Sequence, residues 1–171
     1  ASYVHYLNDG VLVASLSEDS PTGTTSPGTN MEVIRLDLAA IGDDITLEDL
    51  EVVKSGTCTV TGTTVAAWKS PDGQTTYESF TAGTAWLNET SVSVSVNGGD
   101  AFTKDIEIPA GTTKTISLFG DTNGCTAAET LGFTVSGSDI TSGIEWENAE
   151  ANDVDAVITK NLPITGGTLK Y

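Results

Sequence analysis

The sequence contains little positive charge. It has 7 Lys+Arg against 24 Asp+Glu in 171 residues, which gives a formal net charge of -17 at pH 7. A surface this acidic repels both the phosphate backbones of nucleic acids and anionic lipid headgroups. We therefore expect neither nucleic acid nor an anionic membrane surface as a partner.

The sequence also lacks long apolar runs and is poor in strong helix formers. It has no stretch of about 20 apolar residues, so we predict no membrane-spanning helix and no membrane insertion. Lys, Arg, Gln and Met are few, whereas Thr, Val, Ile and Gly are abundant, and this balance disfavours a helix-rich fold. The hydrophobic residues, 38% of the chain, fall in alternating blocks, which disfavours disorder.

Catalytic motifs are missing from the sequence. His5 is the single histidine, and the chain has no G-x-S-x-G, H-E-x-x-H or Gly-rich phosphate loop. Pairs of carboxylates of the kind that hydrolyse glycosides arise by chance among 24 acidic residues. We therefore expect no enzymatic activity, and the sequence implies no cofactor.

Cysteine is limited to Cys58 and Cys125. The two do not form a C-x-x-C motif and no second pair accompanies them, so a zinc site is not favoured. In an exported protein such a pair predicts a disulfide. Gly and Thr flank both cysteines, so the bond is expected to join two loops or strand ends. The alternative is two buried free thiols.

Alternation of apolar and polar residues recurs along most of the chain. It predicts an all-β fold: a single antiparallel β-sandwich, Ig-like or jelly-roll-like, with about ten strands over residues 10–171. Residues 1–9 are predicted to form an N-terminal strand extension. The sequence Pro71-Asp72-Gly73 predicts a hairpin turn. The step from Leu47 to Leu50 breaks the alternation by one residue, which predicts a β-bulge or a short turn.

Acidic residues cluster near predicted turns and are candidate Ca²⁺ ligands, since Ca²⁺ takes six to eight oxygen ligands. The candidates are Asp43, Asp44, Asp121, Asn123 and Asp139, and also Glu145 and Glu147 with Asp153 and Asp155. None of them matches a D-x-D-x-D-G loop. The alternative interpretation is a solvated acidic face.

Two further features concern sugars. Asn88 begins the one N-x-S/T sequence in the chain, and in an exported protein it is a candidate glycosylation site. Trp68, Trp86 and Trp146, with Tyr77, are candidates for a carbohydrate-binding platform. The alternation around Trp68 and Trp146 instead favours core positions, whereas Trp86 lies in a less regular segment.

Four segments carry a family resemblance: residues 16–24 (LSEDSPTGT), 35–39 (RLDLA), 108–116 (IPAGTTKTI) and 162–169 (LPITGGTL). Their order and spacing resemble the β-sandwich unit of exported bacterial and archaeal surface proteins, which occurs in surface-layer, adhesin and filament components. The resemblance implies an Ig-like sandwich on the cell exterior and no catalytic residues. The chain departs from it at residues 1–9 and at the more acidic residues 143–155.

These observations predict a structural subunit of an extracellular polymer, either a filament or pilus-like fibre or a surface layer. The chain begins without an initiator Met, so we expect export by a signal peptide that the mature chain lacks. The expected partners are copies of itself, with glycans as additional ligands. Assembly would proceed head to tail by donation of the N-terminal strand to a neighbour.

The candidate donor strand covers residues 3–7. Tyr3, His5 and Leu7 share one face, and Val4 and Tyr6 share the other. One alternative is that this strand pairs within its own chain. A second, of a different class, is a monomeric extracellular module that binds carbohydrate or a cell-surface partner.

Overall fold

A computed structural model describes residues 10–50, 52–58, 64–82, 93–94, 104–135, 144–149, 153–154 and 159–171. These residues contain fifteen strands and no helix, which confirms the all-β prediction. No helix in these ranges is long and apolar enough to cross a membrane.

The strands follow one another in short succession, and ten of the fifteen are three residues or longer. Their bounds are β1 (Val11–Leu16), β2 (Gly23–Thr24), β3 (Met31–Ile41), β4 (Ile45–Leu50), β5 (Val52–Ser55), β6 (Thr64–Lys69), β7 (Thr76–Ala82), β8 (Ser93–Val94), β9 (Ile106–Ile108), β10 (Thr113–Gly120), β11 (Thr130–Val135), β12 (Ile144–Asn148), β13 (Asp153–Val154), β14 (Ile164–Thr165) and β15 (Leu169–Lys170).

The first sheet has the strand order β1-β3-β10-β6-β7 and is antiparallel throughout. On β3, Leu36 and Leu38 are fully buried, as the alternating sequence predicts. The predicted Pro-Asp-Gly turn joins β6 to β7. There the Ser70 N–H donates to the Thr75 carbonyl at 2.8 Å, and Gly73 takes φ +71°, a conformation that glycine adopts without strain.

Strands β4 and β5 lie in the interior of the remaining sheets. β4 is flanked by β12 and β9, and β5 is flanked by β11 and β8. The register passes from Asp49 opposite Glu145 to Leu47 opposite Trp146, so Glu48 is the extra residue on β4. This confirms the β-bulge predicted from the broken alternation.

The C-terminal strands belong to the sheet that contains β11. β14 and β15 both pair with β11, and β2 adds beside β15 in a parallel orientation. Gly167 allows the segments that contain β2 and β15 to approach closely, because a Cβ at this position would lie 2.5 Å from the Thr22 Cβ. The parallel pairing was not predicted, since it joins residues far apart in the sequence.

Buried side chains from all the sheets form one hydrophobic core, which is what a sandwich interpretation requires. Trp68 and Trp146 are both fully buried in it, which confirms their predicted core positions. Tyr77 is buried as well. These three side chains therefore do not form an exposed carbohydrate platform, and Trp86 lies outside the described residues.

The predicted disulfide is present between Cys58 and Cys125. Cys58 follows β5 and Cys125 lies between β10 and β11, so the bond joins two loops, as expected. It closes a sequence separation of 67 residues, which contributes about 4 kcal/mol in the chain-entropy treatment.

Gly56, just after β5, tests how closely the chain packs against β11. It has φ +95°, and a Cβ there would lie 2.3 Å from the Thr130 carbonyl oxygen. Gly111 has a similar φ of +74° with nothing within 4 Å of its Cβ position. We expect Gly111→Ala to cost about 1–2 kcal/mol from backbone strain alone. Gly56→Ala is expected to cost roughly 1–3 kcal/mol more, because β11 must shift.

Chemical denaturation of the two variants measures this difference. Equal losses of unfolding free energy in Gly56→Ala and Gly111→Ala would show that the close approach to Thr130 is unimportant.

Candidate assembly surface

The outer edge of β1 is the candidate assembly surface. Among the described residues, its partner on that side is Lys160, which pairs with Val13 in an isolated parallel bridge. The Lys160 N–H donates to the Leu12 carbonyl at 2.9 Å, and the Ala14 N–H donates to the Lys160 carbonyl at 3.3 Å. Backbone groups alternate in direction along a strand, so the N–H and C=O of Leu16 point to the same side as the Leu12 carbonyl and the Ala14 N–H. Within the described residues the Leu16 groups have no backbone partner.

The side chains along this edge are apolar. Leu12 and Ala14 are fully buried, and Leu16 packs half-buried against the core. An added strand would therefore meet both backbone donors and acceptors and the margin of the hydrophobic core. These are the two components of recognition by strand addition.

A hydrogen bond from a core residue holds the segment that carries Lys160. The indole Nε1–H of Trp146 donates to the Thr159 hydroxyl at 3.2 Å, and both side chains are buried. This contact holds Thr159, the residue before Lys160, against the core. The chain then turns away at Asn161, which takes φ +69°.

Arg35 fixes the loop that follows β1. Its Nε–H and Nη2–H donate to the two carboxylate oxygens of Glu32 at 2.7 and 2.9 Å, and this pairing raises the pKa of Arg35. The Ser117 hydroxyl donates to the same Glu32 carboxylate at 2.6 Å. The Arg35 N–H donates to the Ser20 hydroxyl oxygen at 3.0 Å, which ties the loop back onto the sheet.

The far edge of the same sheet is β7. There the Lys104 N–H donates to the Tyr77 carbonyl at 3.1 Å. The Lys114 ammonium lies 5.2 Å from the centre of the Tyr77 ring. The Tyr77 carbonyl on this edge is therefore already paired within the chain.

The candidate calcium ligands are separated by the fold. The Asp44 carboxylate accepts from the Ala110 N–H at 2.7 Å, and Asp43 accepts from the Asp44 N–H at 2.9 Å. Asp121 accepts from the Asn123 N–H at 2.9 Å. Because Asp43 and Asp44 follow the C-terminal end of β3 and Asp121 lies beside its N-terminal end, they cannot form one site.

Two other acidic candidates are brought side by side. Glu147 and Asp153 are register partners across β12 and β13. Within the described ranges, no three His, Cys, Asp or Glu side chains are grouped so as to hold a metal ion. Several predicted site residues lie outside those ranges: Tyr3, Val4, His5, Tyr6, Leu7, Asn88, Asp139 and Asp155.

A buried lysine was not anticipated from the sequence. Lys54 on β5 is 1% exposed and lies opposite Phe133 in the register. Burial lowers its pKa, and the nearby Glu129 carboxylate partly offsets the decrease. Lys54 lies two residues after the buried Val52 and so on the same face of β5. This spacing is the sequence signal that could have predicted its burial.

Compared with known proteins, the chain matches no protein-family model and no curated relative. The resemblance to exported surface units therefore remains a prediction.

The buried lysine gives a pH dependence. Because the pKa of Lys54 is lowered in the folded chain, the unfolded chain binds more protons just below pH 10.5, the ordinary lysine pKa. Stability contributed by this residue therefore rises with pH in that range. We compare wild type with Lys54→Met by the difference in their unfolding free energies, wild type minus variant. We expect this difference to rise as the pH approaches 10.5.

Lys170, which is exposed, provides the matched control. Urea titrations at several alkaline pH values measure both differences. An equal rise for Lys170→Met would contradict a specific role for Lys54.

Calcium dependence is tested separately. Since Asp44 bonds to the Ala110 N–H, we expect Asp44→Ala to lower the unfolding free energy by about 1 kcal/mol, with or without chelator. We expect EDTA to leave the wild-type Tm unchanged. A Tm that falls in EDTA and recovers with Ca²⁺ would show that the acidic residues bind the ion.

Proposed function

We propose that this protein is a structural subunit of an extracellular polymer, a filament or pilus-like fibre or a surface layer. Its copies assemble head to tail, with residues 3–7 of one copy donated as a strand to the next. The observation that supports this most directly is the edge of β1, where Lys160 is the backbone partner found among the described residues.

The physical reason is that an edge strand presents unused N–H and C=O groups, which template the addition of another strand. As an extended strand, residues 3–7 would supply complementary backbone groups and apolar side chains. A contact that joins two different surfaces of the same molecule is heterologous, and it propagates into an open assembly.

The disulfide and the charge support an exterior location. Disulfides persist in non-reducing compartments, such as the cell exterior. Copies that each carry a charge of -17 repel one another, so assembly requires salt, which screens charge beyond about 8–10 Å. We propose a saline exterior, with glycosylation at Asn88.

A monomeric binding module is the alternative function. Of its candidate platform residues, Trp68, Trp146 and Tyr77 are buried, and Trp86 lies outside the described residues. No described observation favours it over the polymer. Sedimentation of native material separates the two, because a binding module stays monomeric.

Deletion of residues 1–9 tests the polymer. The deletion removes none of the described core residues, so we expect a folded chain that sediments as a monomer in high salt, where wild type forms polymers. Negative-stain microscopy of the same samples should show filaments or sheets for wild type alone. Unchanged assembly of the deleted chain would exclude strand donation.

Two full-length variants identify the inserted face. Tyr3→Asp with Leu7→Asp places charge on one face, and Val4→Asp with Tyr6→Asp places it on the other. Charge on the inserted face should block assembly, because it would have to be desolvated.

A further inference from the structure

Two described turns of the chain place asparagine or aspartate directly before glycine. Asn123-Gly124 lies in the loop between β10 and β11, and Asp72-Gly73 lies in the turn that joins β6 to β7. In both pairs the first residue is exposed and the glycine is half-buried. The two sites therefore have similar sequences and similar access to solvent, and they differ in their hydrogen bonds.

A side-chain carbonyl carbon directly before glycine can react with its own backbone. The glycine nitrogen attacks Cγ of the preceding side chain, and because both groups lie in one short segment the attack is intramolecular. Glycine favours this attack, since it has no Cβ to crowd the nitrogen. Asparagine is accordingly among the thermolabile residues of proteins.

Both reacting groups are occupied at Asp72. The Gly73 N–H donates to the Ser70 carbonyl at 2.7 Å. The Asp72 carboxylate accepts from the Ser70 hydroxyl and from the Gln74 N–H, and these hydrogen bonds lower its pKa. An ionised carboxylate is a poor electrophile, and a nitrogen whose hydrogen is bound within the turn does not rotate freely toward it. The fold therefore protects this site.

The same two groups are free at Asn123. Among the described residues, neither the Gly124 N–H nor the Asn123 side-chain amide has a hydrogen-bond partner. The Asn123 N–H donates to the Asp121 carboxylate at 2.9 Å. The Cys125 N–H donates to the Thr122 carbonyl, also at 2.9 Å. These two bonds steady the turn, but neither of them uses the atoms that react.

We propose that Asn123 is a site of spontaneous deamidation. The Gly124 nitrogen forms a bond to Cγ of Asn123, the Cγ–Nδ2 bond breaks, and ammonia leaves with the proton of the Gly124 N–H. Water then opens the resulting succinimide ring at either carbonyl carbon, which gives aspartate or isoaspartate. Water is the one co-reactant, and nothing is oxidised or reduced. The reaction does not depend on assembly, since it takes place within a single turn.

Deamidation changes both the charge and the backbone of this turn. Each event adds a carboxylate beside Asp121 in a chain whose net charge is already -17. Isoaspartate also inserts an extra carbon into the backbone between Thr122 and Cys125. The Thr122 N–H donates to the Gly28 carbonyl at 2.8 Å, and Cys125 forms the disulfide. We therefore expect the Tm to fall as isoaspartate accumulates with the age of the chain.

Peptide mapping of the folded, full-length chain tests the site. The protein is incubated at mildly alkaline pH, where the Gly124 amide loses its proton more easily, and is then unfolded, reduced and digested. Mass spectrometry should show replacement of the amide nitrogen by oxygen in the peptide that contains Asn123, with isoaspartate among the products. The peptide that contains Asp72 should show no isoaspartate, although in urea, where its hydrogen bonds are lost, isoaspartate should form there too.

Two variants separate the role of the glycine from that of the hydrogen bonds. Gly124→Ala places a methyl group beside the attacking nitrogen and should slow deamidation several-fold. Gly124 is not among the glycines with positive φ, so alanine fits the backbone there. Asn123→Asp gives the two turns the same Asp-Gly chemistry within one molecule. Isoaspartate should then form faster at position 123 than at Asp72. Thermal unfolding verifies that both variants are folded.

Three results would overturn the proposal. An amide at Asn123 that survives in the folded chain but is lost in urea would show that the fold protects this site. Equal isoaspartate at positions 123 and 72 of folded Asn123→Asp would show that the hydrogen bonds do not decide reactivity. Deamidation of Gly124→Ala at the wild-type rate would indicate direct hydrolysis by water and exclude attack by the Gly124 nitrogen.

Discussion

Backbone pairing along β3 is the constraint on which the rest of the molecule depends. This strand pairs with β1 from Leu36 to Ile41 and with β10 over most of its length. Because it is eleven residues long and central, it separates Asp43, which follows its C-terminal end, from Asp121, which lies beside its N-terminal end. It also places β1 at the edge of the first sheet, where a further strand can add.

Scarce cations have local roles in this strongly acidic chain. Arg35 binds Glu32 with two hydrogen bonds, and the Lys69 ammonium lies over the Phe119 ring. Lys54 is buried within the sheet. In the proposed polymer, copies of like charge would repel one another, and salt would screen that repulsion without weakening apolar and backbone contacts.

Local patterns predicted much of the fold. Alternation located the core faces of β3 and β11, the break between Leu47 and Leu50 located the bulge, and Pro-Asp-Gly located the β6–β7 turn. Each of these signals depends on residues within a few positions of one another. The parallel β2–β15 pair and the Lys160 bridge were missed because they join residues distant in sequence, which no local period records.

The sequence by itself determined the all-β class, the excess of acidic residues, the even number of cysteines and the faces that residues 3–7 would present in a strand, since these follow from composition and nearest-neighbour spacing. Only the tertiary structure decided that Trp68, Trp146 and Tyr77 are buried in one core, that Asp43 and Asp121 lie at opposite ends of β3, and that Cys58 and Cys125 are bonded. The physical reason is that sheet order and register set distances between residues remote in the chain, and composition does not contain them.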